Sequence, residues 1–147
     1  DGLSPVCAFT PGVLGSTGIE SAELLKSVCE YVKPAQVIAV DALAAASLER
    51  LCTTVQLTDA GIVPGSGVGN NRAAVSRETL QVPVLALGVP TVVDAAAFSD
   101  DEAAKGMFVT PRDIDASVRT MSKLLGYAIN IALHNGLTVA DIDMLKG

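Results

Sequence analysis

The sequence has no tryptophan, two tyrosines and three phenylalanines, so aromatic residues make up only 3% of its 147 positions. That argues against a nucleic-acid surface, which needs stacking rings among basic side chains. Positive charge is scarce as well. Ten Lys and Arg stand against sixteen Asp and Glu, a formal net charge of −6, which disfavours polyanionic partners. Histidine occurs once, at His134, and Cys7, Cys29 and Cys52 are widely spaced with no CxxC pair. So few nitrogen and sulfur ligands give a zinc site little support, and neither a metal nor a cofactor is expected. The odd cysteine set fits a reducing compartment. No run of 18 apolar residues occurs, so no membrane-spanning helix is expected, and no signal-peptide pattern is visible.

Half the residues are apolar, mostly Ala, Val, Leu and Ile. A chain of this length buries roughly 70% of its unfolded surface, so one α/β core is expected over residues 1–147. Pro5 to Phe9 is a short apolar run readable as a strand. Residues 10–18 hold Pro11, Gly12, Gly15 and Gly18, a loop able to bring backbone close to a ligand. Thr17 and Glu20 have capping-box spacing and predict a helix to Lys33, stopped by Pro34. Leu24, Leu25, Val28, Cys29 and Val32 recur on one face of it. The buried strand 36–40 follows after a short turn, an order that predicts a crossover and a parallel sheet.

Asp41 closes that strand, and the alanines and leucine after it predict a helix over 42–51. Residues 53–58 alternate as a strand should and end at Asp59. The second glycine-rich loop, 61–71, contains Gly65-Ser66-Gly67. Asn70 stands where GxGxxG needs its third glycine, and no Gly-Lys-Ser/Thr follows, so phosphate binding is poorly supported. The continuous apolar run 82–89 predicts a central strand ended by Pro90. Thr91 to Ala95 repeats the pattern of β-branched residues closed by an acid, Asp94. Residues 99–106 read as an exposed loop. Thr110-Pro111-Arg112-Asp113 opens a long helix to about His134, Asn135-Gly136 ends it, and Thr138 to Asp141 cap a tail helix.

Asp41, Asp59 and Asp94 thus close strand-like segments, and in a parallel sheet such ends share one edge. Two neighbouring carboxyls there divide their work, one holding a proton while the other draws a proton from water. That chemistry needs no metal, cofactor or histidine. Each acid equally suits a plain role, capping the turn or helix that follows. A serine-hydrolase site is poorly supported, because Ser66 lacks the GxSxG context and His134 sits at a helix end.

Residues 10–20 (Thr-Pro-Gly-Val-Leu-Gly-Ser-Thr-Gly-Ile-Glu), 37–45 (Val-Ile-Ala-Val-Asp-Ala-Leu-Ala-Ala), 61–70 (Gly-Ile-Val-Pro-Gly-Ser-Gly-Val-Gly-Asn) and 88–95 (Gly-Val-Pro-Thr-Val-Val-Asp-Ala) together resemble the germination protease family of spore-forming bacteria. Residues 108–111 and 130–134 resemble its C-terminal helix region. The resemblance runs in the same order over nearly the whole chain.

It implies an α/β fold with three α/β/α layers and a mostly parallel sheet, similar to hydrogenase maturation proteases and of phosphorylase/hydrolase-like type. It implies an atypical aspartic endopeptidase that degrades small acid-soluble spore proteins in the spore core, a cytoplasmic location. The family enzyme is made as a zymogen and assembles as a tetramer. Asp41 matches one of its two catalytic aspartates. The other belongs to a segment upstream of the Pro-Gly-Val motif, so this chain is expected to be the C-terminal portion of a longer peptidase domain, with an upstream fragment of the same precursor as partner. Asp94, Gly15, Gly67 and Thr91 are expected to shape the substrate cleft. Ala46 stands where the family usually has arginine, and the segment between Ala95 and Phe108 is shorter than the family's. Two alternatives accompany this reading: a catalytically incomplete half-domain acting in binding or assembly, and a metal-dependent protease of the hydrogenase-maturation kind.

Overall fold

The computed structural model describes residues 3–66 and 72–146. The chain divides into two compact units, Thr10–Arg112, and Asp1–Phe9 together with Asp113–Gly147. The first holds α1 (Leu14–Thr17), α2 (Ser21–Val32), β1 (Val37–Ala45), β2 (Gln56–Thr58), α3 (Arg77–Leu80), β3 (Val84–Asp94) and β4 (Phe108–Val109). It is an α/β arrangement around a mixed sheet. β1 lies parallel to the central β3, while β2 and β4 run antiparallel to β3 along its other edge. The parallel ladder is much the longest of the three.

The core explains the order. Ala22 and Cys29 of α2 are buried with Val75, Leu80 and Val84, and Leu25, Val37, Ala39, Ile62 and Val82 close around them. Val37 and Ala39 are alternate residues of β1, so one face of that strand meets α2. Burial pushes the Cys29 thiol above its ordinary pKa, which keeps it protonated. Lys33 ends α2 in a left-handed conformation, its N–H bonded to the Cys29 carbonyl at 2.8 Å. Gly61 allows a second close approach. Its φ is +88°, and a β-carbon there would stand 2.5 Å from the Val75 carbonyl oxygen. Paired bonds between Ile62 and Val75, 2.9 and 2.7 Å, close the glycine-rich loop at its base.

Several sequence expectations are corrected. The helix expected over 42–51 is absent, since β1 continues to Ala45 and only one 3-10 turn, Leu48–Arg50, follows. Alanine's helix preference is worth a fraction of a kcal/mol per residue. A continuing partner strand overrides it, because Ala42 pairs with Val89 and Ala45 with Val93. Pro90 does not end its strand either. It lies within β3 beside an irregularity in the ladder, where Leu43 faces Pro90 and Ala44 faces Val92, leaving Thr91 extra. The strand expected over 53–58 shortens to Gln56–Thr58. Thr17 closes α1 by bonding to the Val13 carbonyl, and α2 starts later, at Ser21.

The second unit holds α4 (Ile114–Leu133), which the apolar stripe predicts but which starts after Asp113 rather than at the expected Thr110 cap, and α5 (Val139–Lys146), which the Thr138–Asp141 spacing predicts. Residues 5–9 form no strand. Pro5 has no N–H to donate to a ladder, and nearby Ser4 instead bonds the end of α4. Its N–H donates to His134 Nδ1 at 3.1 Å, and its hydroxyl donates to the Leu133 carbonyl at 2.7 Å. Tyr127 donates to Asp143, joining the two helices, and the Lys123 ammonium stands 5.5 Å from the Tyr127 ring centre.

Thr138 and Asp141 cap α5 reciprocally. The Thr138 hydroxyl and N–H both donate to Asp141 Oδ2, at 2.6 and 2.8 Å, and Asp141 N–H returns a bond to the hydroxyl at 3.3 Å. The Thr138 hydroxyl, then its N–H, holds the Asp141 carboxyl below its ordinary pKa. A lowered folded-state pKa means that this contribution to stability is complete above the ordinary carboxylate pKa. It is lost as pH falls through the lowered value. In Thr138→Ala, an NMR titration of Asp141 is expected to find its midpoint moved upward. An unmoved midpoint would contradict the capping account.

Candidate functional site

Asp41 sits inside β1, directly opposite Gly88 of β3. Strand alternation puts it on the face of Val37 and Ala39, one step beyond the residues that close around the core. No helix follows it, so helix capping is not its role. Its Oδ1 accepts from Ala42 N–H at 2.9 Å. Its Oδ2 is buried and has no hydrogen-bond partner among the described residues. Leaving a buried acceptor unpaired costs about 1–3 kcal/mol, more for a charged group, so such atoms call for an explanation.

The surroundings are built by a glycine and a leucine. Leu43 lies on the same face as Asp41 and leans over Gly88. A β-carbon at Gly88 would overlap Leu43 Cδ1 and stand 2.7 Å from its Cγ. Across β3, Gln56 of β2 faces Gly88 from the other side. Asp41, Gly88 and Gln56 therefore form one row across three strands, on one face of the sheet. The next row is Ala39, Ala86 and Thr58. At the bulge, the carbonyls of β3 are held from outside the strands. Cys52 N–H donates to the Pro90 carbonyl at 2.7 Å, and the Thr110 hydroxyl donates to the Thr91 carbonyl at 2.8 Å.

The other acids are not gathered here. Asp94 lies six residues past Gly88, about 20 Å along the strand at ordinary rise. There Asp94 caps a 3-10 turn, its Oδ1 accepting from Ala96 N–H at 2.9 Å. β2 is antiparallel, so Asp59 follows Thr58 toward the opposite end of the sheet from Asp94. The shared edge expected for three parallel strand ends does not exist. Thr91 is the extra residue of the bulge, half-buried. Gly15 lies in α1 with open space around its α-carbon. Gly67 lies outside the described residues.

Sequence reading assigned no site role to Gly88, Leu43 or Gln56. Their relation to Asp41 is a matter of register, which local pattern does not encode. Among the described residues, no three His, Cys, Asp or Glu side chains gather as a metal site. No described helix is long and apolar enough to cross a membrane.

The site is thus an acid held mid-strand in a mixed α/β sheet, with one oxygen shielded and unpaired. Comparison with known proteins supplies the class. Residues 1–105 match the family described as germination protease. The chain is 39% identical over 183 residues to the germination protease of Clostridium perfringens (strain SM101 / Type A), covering 97% of this chain and 56% of that one. It is 39% identical over 185 residues to that of Caldanaerobacter subterraneus subsp. tengcongensis, covering 99% and 57%. It is 57% identical over 101 residues to that of Bacillus subtilis (strain 168), covering 69% and 27%. The chain belongs to the germination protease family. It spans about half the length of the Clostridium and Caldanaerobacter relatives. The longer aligned stretches exceed this chain's 147 residues, so those relatives carry residues that it lacks. The family match ends at residue 105, inside the segment between Ala95 and Phe108.

Gly88→Ala would force Leu43 away from its place beside Asp41. Overpacking of this kind costs about 1–3 kcal/mol, read as a lower denaturant midpoint. Adding Leu43→Ala to Gly88→Ala is expected to remove the clash, so the two changes cost less together than their sum. Strict additivity would contradict the contact.

Proposed function

We propose that this chain forms the C-terminal portion of a longer peptidase domain, an aspartic endopeptidase in which Asp41 is one of two catalytic carboxylates. The observation that carries the reading is Asp41 Oδ2, a shielded carboxylate oxygen with no partner among the described residues. A second carboxyl that holds a proton satisfies it directly, because two adjacent acids share one proton rather than both ionising. The second acid comes from an upstream segment of the same precursor. Membership of the germination protease family supports the reaction.

The mechanism follows from the paired acids. The ionised carboxyl takes a proton from water as that water's oxygen bonds to the peptide carbonyl carbon. The protonated carboxyl hydrogen-bonds the carbonyl oxygen as it gains negative charge. The tetrahedral intermediate collapses when the first carboxyl passes the proton it took from water to the leaving nitrogen and the C–N bond breaks, giving a free acid and a free amine and restoring the pair. Alanines and leucine around Asp41 keep the site apolar, where electrostatic interactions are stronger than in water. The substrates are small acid-soluble spore proteins, degraded in the spore core at germination. The enzyme arises from a zymogen and works as a homo-oligomer, a tetramer. Thr91, three residues past Gly88, belongs to the surrounding cleft wall, whereas Asp94 caps its turn at the far end of β3.

A role in assembly without catalysis has one observation of its own. On the sheet face opposite Asp41, Val40 and Leu57 flank Leu87 in one row and are 52% and 64% exposed.

In the complete protein, Asp41→Asn is expected to lower cleavage of a small acid-soluble spore protein by at least about a thousandfold. Its thermal unfolding stays close to that of the unmodified protein. Full activity in this variant would sink the assignment, and would leave assembly as the better reading.

A further inference from the structure

We propose that Gln56 is a substrate-positioning residue, whose carboxamide hydrogen-bonds the main chain of an extended polypeptide laid across the sheet face that carries Asp41. This rests on the reading of Asp41 as catalytic.

Register is the first observation. Gln56 and Asp41 both face Gly88, from opposite sides of β3. Adjacent strands are about 4.8 Å apart, so the two α-carbons stand about 10 Å from one another on the same face. In the row itself no polar side chain separates them, since Gly88 has no side chain and Leu43 covers it. The row therefore has a polar group at each end and an apolar floor in the middle.

Availability is the second. Gln56 is exposed, and its side-chain carboxamide makes no hydrogen bond among the described residues. A carboxamide carries both a donor and an acceptor, the same complement as a peptide group. It is uncharged, so it fits main chain rather than any particular side chain. An extended polypeptide advances about 3.3 Å per residue. A span of about 10 Å therefore places the gripped peptide group two or three residues from the bond at Asp41. The ligand class is extended main chain of any sequence, and Gln56 contributes affinity while leaving the chemical step to the acids. Thr58 provides the contrast. It is exposed on the same face of the same strand, but its row holds only Ala86 and Ala39.

The test compares Gln56→Ala, Thr58→Ala and Asp41→Asn in the complete protein, with a small acid-soluble spore protein as substrate. Loss of one net hydrogen bond corresponds to a factor of about 3 to 10. Gln56→Ala is expected to raise KM by that factor with kcat changed less than about twofold, and Thr58→Ala is expected to change neither. Binding of the same substrate to Asp41→Asn and to Asp41→Asn/Gln56→Ala should differ by the same factor. An unchanged KM and affinity in Gln56→Ala would overturn the proposal, and so would an equal effect in Thr58→Ala or an effect confined to kcat. If Asp41→Asn is inactive while Gln56→Ala is normal, only this inference falls. If Asp41→Asn is fully active, the catalytic reading itself falls.

Discussion

The parallel ladder between β1 and β3 is the interaction on which the Thr10–Arg112 unit depends. It runs the length of β1, from Val37 opposite Val84 to Ala45 opposite Val93. It fixes which residues of β1 meet α2 and brings Asp41 level with Gly88. It also holds residues 42–45 extended, against the helical preference of alanine and leucine. Shifting β1 by one residue would turn Asp41 to the other face and bring Ala42 into its place. The bulge at Thr91 is tolerable because the carbonyls around it find donors outside the ladder, in Cys52 and Thr110.

That frame gives Asp41 its unusual state. A carboxylate at the end of a strand is solvated or caps a helix, and either arrangement satisfies both oxygens. Held mid-strand beside Leu43, Asp41 satisfies one oxygen with the neighbouring amide and leaves the other shielded. A structure retains such a group at a cost in stability, and unsatisfied groups of this kind concentrate where chemistry is done. Asp94 shows the contrast within the same strand pair: it bonds a turn amide at the far end of β3.

Much of this was legible in the sequence. Apolar periodicity located α2 and α4, Pro34 and Gly136 marked their ends, and the Thr138–Asp141 spacing announced the cap of α5. The long apolar run 82–89 gave the central strand, and the quoted motifs gave the family. Failures cluster where pairing outweighs local preference. Residues 42–45 look helical because alanine favours helix, yet β3 offers them a partner. Pro90 looks like a strand end, yet at a bulge its missing N–H costs nothing. The three strand-closing acids look convergent only if every strand is parallel, and β2 is not. The row formed by Asp41, Gly88 and Gln56 was out of reach, because two pairings of different direction create it.

The central claim is that the shielded oxygen of Asp41 belongs to a pair of carboxyls. A high-resolution structure of the complete protein tests it most directly. The account predicts a carboxyl oxygen of a second acidic residue at hydrogen-bond distance from Asp41 Oδ2, about 2.5–3.0 Å. An Oδ2 bonded only to backbone amides, with every other carboxyl remote, would contradict it.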